Sequence, residues 1–215
     1  MPDFLRMLGD RAMTKEQLLE AVEDDFELLP IVIDGVSSPK AGVRYGCAKV
    51  IMDLSEKHPE KLYPHMEFFA SLLNSKYRIL VWNAIAILAN LCAADVDKKF
   101  DAVFDKYYGL LNDEYMVTVA NVIGNSGKIA LAKPYLVPMI TDRLLCVDKI
   151  ATSPHLTDEC KRVIAEAAIE SFNLLFYSMD AEGKAKVLSF VKKNLKSPRD
   201  SLRKKANLFL RRWSQ

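Results

Sequence analysis

An all-α fold of about five helix pairs, preceded by one extra N-terminal helix, is what the sequence predicts. Three observations carry the prediction. A pattern of the form apolar-x-x-x-small recurs five times, ending on Cys47, Ala84, Ala120, Ala168 and Ala206. Apolar side chains mostly follow each small residue at +3, +4 and +7, which is the buried stripe of a 3.6-residue helix. Short polar breaks precede these runs, and glycine and proline are scarce, at 8 and 9 of 215 residues.

Taken in order, Thr14 starts a helix over 15–23, with Gln17 placed to complete a capping box. The first pair spans 26–36 and 39–56, with Ser37-Ser38-Pro39 as its break and Val50, Ile51 and Leu54 as its stripe. The second spans 60–73 and 76–93, divided at Asn74-Ser75-Lys76, with Ile87, Leu88 and Leu91 following Ala84. The third, 97–111 and 113–129, breaks at Asn112-Asp113, and its stripe is weakened by Gly124 and Gly127. The fourth takes 133–147 and 157–177, and the fifth takes 180–195 and 198–213 around Lys196-Ser197-Pro198. Ser, Asn and Asp in the breaks are expected to cap the helix that follows, and Pro39 and Pro198 suit a first turn. The small residues are spaced 37, 36, 48 and 38 apart, so the fourth interval carries about ten extra residues near 146–156. They read as a surface loop, with a binding element at a groove edge as the alternative.

Leu28-Leu29-Pro30-Ile31-Val32-Ile33-Asp34-Gly35-Val36, followed by Ser38-Pro39 and Val43-Arg44, resembles a HEAT repeat. Partial copies occur at Leu62-Tyr63-Pro64, Val137-Pro138-Met139-Ile140 and Leu202-Arg203-Lys204-Lys205-Ala206. The resemblance covers roughly residues 26–213. It departs from the pattern in pairs three and five, which lack the first-helix proline, and the Val-Arg dipeptide is complete only in pair one. It implies a right-handed superhelical solenoid of the armadillo-like kind, forming a single domain over 1–215. Residues 1–25 cap it, and the repeats fall at 26–56, 60–93, 97–129, 133–177 and 180–213. The second helix of each pair would line a concave side.

Counting 100° per residue from each small residue, positions −2, +2, +5 and +6 point away from the core. On that face lie Tyr45, Lys49, Trp82, Asn90, Asn125, Glu166 and Asn173, the expected contacts of a protein or peptide partner. Aromatics with a polar tip suit interfaces, and amides suit an extended backbone. The expected function is that of a non-catalytic scaffold.

Charge supports an alternative. Residues 1–36 hold nine acids against three bases, whereas residues 183–215 hold eleven bases against one acid. Lys204, Arg211 and Arg212 fall on the outward columns and would contact phosphate in a nucleic-acid-binding solenoid. Polar capping of a last repeat is the competing account. HEAT-like alkylpurine DNA glycosylases are a third reading, for which Tyr45, Trp82, Asp53 and Glu166 supply ingredients but no matching motif.

His58, His65 and His155 lack metal-ligand spacing, and no phosphate-binding glycine loop or nucleophile motif is present. Neither a metal, a cofactor nor a small-molecule substrate is therefore expected. Four dispersed cysteines and the lack of a leader or membrane-length apolar run predict a cytoplasmic, reducing location.

Overall fold

The computed structural model describes residues 3–213, which are 80% helical and contain no strand. It divides into two compact units, Met1–Phe100 and Asp101–Gln215.

The first unit contains α1 (Phe4–Gly9), α2 (Lys15–Asp24), α3 (Leu29–Gly35), α4 (Ala41–Lys57), α5 (Pro59–Leu62), α6 (Met66–Ser71) and α7 (Arg78–Leu91). The capping box expected at Thr14 and Gln17 is present at α2. The short helix α1 has no counterpart in the sequence reading; its single buried side chain, Leu8, packs over Gly46 of α4. The helix expected over 60–73 is broken. A 3-10 turn at Tyr63–His65 separates α5 from α6 because Pro64 has no N–H to continue the ladder.

The second unit contains α8 (Lys99–Gly109, whose first two residues lie before the boundary), α9 (Met116–Ala132), α10 (Val137–Leu145), α11 (Asp158–Leu175), α12 (Ala181–Asn194) and α13 (Asp200–Trp213). Helices α9, α11 and α13 pack side by side in sequence order, and α10 packs on α12. Surface ion pairs stitch the first helices of successive pairs, Arg143 to Asp105 at 2.6 Å and Lys186 to Asp142 at 3.4 Å, and Lys193 of α12 reaches Asp148 in the turn after α10 at 2.7 Å. Each such exposed pair contributes ~0–1 kcal/mol, so they fix neighbours in register more than they hold the fold.

The breaks before the second helices work differently from the capping expected of them. The backbone N–H of Lys40 donates to Ser38 Oγ, that of Tyr77 to Ser75 Oγ, that of Tyr115 to Asp113 Oδ1 and that of Arg199 to Ser197 Oγ, at 2.9–3.3 Å. A side chain that bonds the backbone two residues on makes a turn, and the same turn leads into α4, α7, α9 and α13. Helix α11, the second helix of its pair, follows the insertion and is instead entered through a side-chain cap, with the Cys160 N–H donating to Thr157 Oγ1. The two Ser-Pro breaks share a further device. Arg44 and Arg203, each six residues past its serine, donate from Nη1 to the carbonyls of Ser38 and Pro39, and of Ser197 and Pro198.

Cys47, Ala84, Ala168 and Ala206 are buried, as expected of small residues where helices approach closely. The third copy is a correction: Ala120 is half-buried. A shift of 38 maps buried Leu80, Val81, Ala84, Ile85, Leu88, Ala89 and Leu91 of α7 onto buried Thr118, Val119, Val122, Ile123, Ser126, Gly127 and Ile129 of α9. Val122 therefore takes the place assigned to Ala120, and Thr118 and Ser126 turn inward. The insertion is shorter by two residues than the spacing of small residues suggested.

That insertion folds onto its own unit. Ser153 and Leu156 exchange two backbone hydrogen bonds, Ser153 Oγ donates to the Glu114 carbonyl, and the His155 ring stacks on Tyr115 with centroids 4.6 Å apart.

The closest approach in the first unit is at Gly35, where a Cβ would stand 2.5 Å from Cys47 Sγ and 2.9 Å from Leu5 Cδ2. Burial pushes the Cys47 thiol up to about 12, so it acts as an apolar wedge. Gly35→Ala is expected to cost ~1–3 kcal/mol through overpacking despite alanine's better helix propensity. Ala84→Leu, at a fully buried site on α7, is expected to cost a similar ~1–3 kcal/mol. Urea midpoints of both variants check the two values.

Candidate functional site

Most of the side chains assigned to an outward face are engaged within the protein. On α4, the buried Arg44 guanidinium lies 4.7 Å from the Tyr45 ring centroid and 3.9 Å from that of Tyr77, and the two rings meet edge to face. Tyr45 is thus held against the Arg44 cation and the edge of Tyr77. Lys49 pairs with Asp53 one turn along the same helix. Trp82 is half-buried on α7. Asn90 donates from Nδ2 to Ser55 Oγ at 2.9 Å, tying α7 to α4.

In the second unit, Asn125 donates back to the Asn121 carbonyl of its own helix at 2.9 Å. The corrected register explains this, since Asn125 occupies the place of buried Ile87. Glu166 is a clear correction: it is 7% exposed and cannot present itself to a partner. Its Oε1 accepts from Arg199 Nε at 2.6 Å and from Ser201 Oγ, and Lys205 stands 3.8 Å from Oε2. The turn before α13 and the first turns of that helix fold over it, which a count along α11 alone does not reveal. Burial acts to raise the Glu166 carboxyl, but the Ser201 hydroxyl and the Arg199 and Lys205 cations prevail and hold it below the usual carboxylate value. Lys204 is paired with Asp200 at 2.7 Å, whereas Arg211 and Arg212 are exposed.

What the structure brings together is a groove of about 420 Å³ between α11 and α13. Ile169, Leu208 and Phe209 supply its apolar surface, and Glu170, Asn173, Lys205 and Arg212 its polar rim. Leu208 is 64% exposed on a helix whose other exposed side chains are polar or charged. Asn173 Oδ1 accepts from Trp213 Nε1 at 2.8 Å, which leaves its Nδ2 without a partner among the described residues. Trp213 is anchored in turn by Phe176 and Phe209, with centroids 5.0 and 6.5 Å away. Of the residues selected from sequence, Asn173 and Arg212 belong to this groove. Ile169, Glu170, Lys205, Leu208 and Phe209 were missed as site residues. An outward leucine four residues before an arginine was the available signal.

Among the described residues, no group of three or more His, Cys, Asp or Glu could hold a metal ion, and no helix is long and apolar enough to cross a membrane.

No family model matches the chain, and no curated protein matches it by sequence. Solved structures do. A designed armadillo repeat protein is similar at a TM-score of 0.62 and 18% identity, over 98% of this chain and 94% of that one. The fold is an armadillo/HEAT-like helical repeat solenoid. A second designed armadillo repeat protein, in complex with the peptide (KR)4, is similar at a TM-score of 0.60 and 17% identity, over 96% of this solenoid and 90% of its own chain. An engineered protein matches at 0.60 and 15% identity, over 96% and 86%. At these identities the likeness concerns the fold.

The Glu166 network has a consequence for acid stability. Because its folded value is depressed, the stabilisation is complete above the unfolded value near 4.5 and is lost as pH falls through the lower folded value. Glu166→Gln is expected to lower the urea midpoint at neutral pH and to flatten its decline below about pH 4.5. Urea titrations of both proteins across that range measure the difference.

Proposed function

We propose that this solenoid is a non-catalytic scaffold that binds an extended peptide segment of a partner protein in the groove between α11 and α13. The observation that carries the reading is the pairing of an exposed apolar strip at Leu208 with the unspent amide donor of Asn173. An apolar patch rimmed by polar groups marks an interaction surface, and a fixed side-chain amide can bond a peptide backbone carbonyl. The peptide complex of a structurally similar armadillo repeat protein supports the use of this fold for peptide binding.

Four partnered carboxylates are not poised as general acids. Glu23, Glu159, Glu166 and Asp200 all sit below their ordinary values because lysines, arginines or hydroxyls partner them. A general acid at neutral pH needs the opposite displacement.

The test is selection of a displayed random peptide library on the full chain. Peptides recovered on the parent protein are expected to lose roughly tenfold or more in affinity on Leu208→Asp and to weaken on Asn173→Ala. Tyr45→Ala is expected to leave their affinity unchanged. Binding that survives Leu208→Asp and Asn173→Ala would place the function elsewhere on the molecule.

A further inference from the structure

Which peptide the groove accepts follows from how its charges are spent. Helix α13 carries Lys204, Lys205, Arg211 and Arg212 on its outer side. Asp200 takes Lys204, and Lys205 pairs with Glu170 and stands 3.8 Å from Glu166. The one carboxylate on the groove rim, Glu170, is thereby occupied. Arg211 and Arg212 form no ion pair among the described residues, and of these two Arg212 lines the groove. Its guanidinium is 4.8 Å from the Trp213 ring centroid, and Trp213 is itself held by its hydrogen bond to Asn173. The groove thus pairs an uncharged apolar strip with one positioned, uncompensated cation.

Spacing turns this into a pattern. Leu208 and Arg212 are four residues apart on α13, a rise of about 6 Å along the helix. In an extended peptide, side chains two residues apart share a face and are separated by about 6.6 Å. An apolar side chain resting against Leu208, Ile169 and Phe209 therefore places the second residue beyond it opposite Arg212. We infer that the α11–α13 groove selects an extended acidic peptide in which an apolar residue and an Asp or Glu are two positions apart. This rests on the peptide-binding reading of the same groove and adds the chemistry of the ligand. A lysine or arginine at the second position would meet Arg212 as a like charge. A nucleic acid would use Arg211 and Arg212 but leaves Leu208 with nothing to cover it.

The experiment compares peptides selected from a displayed random library on the full chain, on Leu208→Asp and on Arg212→Glu. Leu208 and Arg212 project outward, so both variants are expected to keep the parent's helicity by circular dichroism. The parent is expected to enrich acids two positions from a large apolar residue. Arg212→Glu is expected to weaken those peptides roughly tenfold and to enrich lysine or arginine at the same position when selected afresh. Peptides that depend on Leu208 but show no acidic preference, or none that Arg212→Glu alters, would overturn this inference and leave peptide binding in the groove intact. Recovery of no Leu208-dependent peptide would overturn both. Salt-sensitive binding of a short DNA duplex that is lost on Arg212→Glu and kept on Leu208→Asp would replace the acidic peptide with a phosphate backbone.

Discussion

Two helices joined by a short turn cannot bury an apolar stripe between themselves on both sides, so within each unit a hairpin depends on its neighbour. The second helices supply that contact. Where α4 meets α7, and where α9 meets α11 and α11 meets α13, small buried residues let the backbones approach and at least one polar bond crosses each seam. Asn90 reaches Ser55, Ser171 Oγ donates to the Ile123 carbonyl at 2.6 Å, and Trp213 reaches Asn173. A hydrogen bond buried in such a seam adds modest stability when made but is costly to leave unmade, so it fixes the rotation of one helix against its neighbour.

This requirement also explains why so few of the outward polar residues are available to a ligand. Asn90 and Asn173 lie at the edge of the stripe, where a side chain can either face solvent or bridge to the adjacent helix. Both bridge. The groove that α13 forms with α11 keeps Leu208 exposed. Several of the cations around it are neutralised by ion pairs to Asp200, Glu166 and Glu170. Arg212 stands beside the exposed Leu208, and the proposed peptide groove rests on that juxtaposition.

The helical repeat was legible in the chain because its signals are local. Apolar spacing, Thr14 with Gln17, and the prolines each act within a few residues. The third repeat misled the count because Ala120 satisfies the small-residue pattern while Val122 satisfies the packing, and only neighbouring helices choose between them. Helix α1 escaped because six residues with one buried leucine give no periodicity to detect.

By itself the sequence determined the all-helical class, the five hairpins, the insertion before α11 and the concentration of positive charge at the C-terminus, all of which follow from periodicity and composition along one strand of chain. Tertiary structure alone decided that Glu166 is an internal counter-ion, that Tyr77 closes on Arg44 and Tyr45, and that Leu208 and Arg212 share a groove with Asn173. Those outcomes depend on residues 30 to 40 positions away, a full repeat along the chain, and no helical period reaches that far.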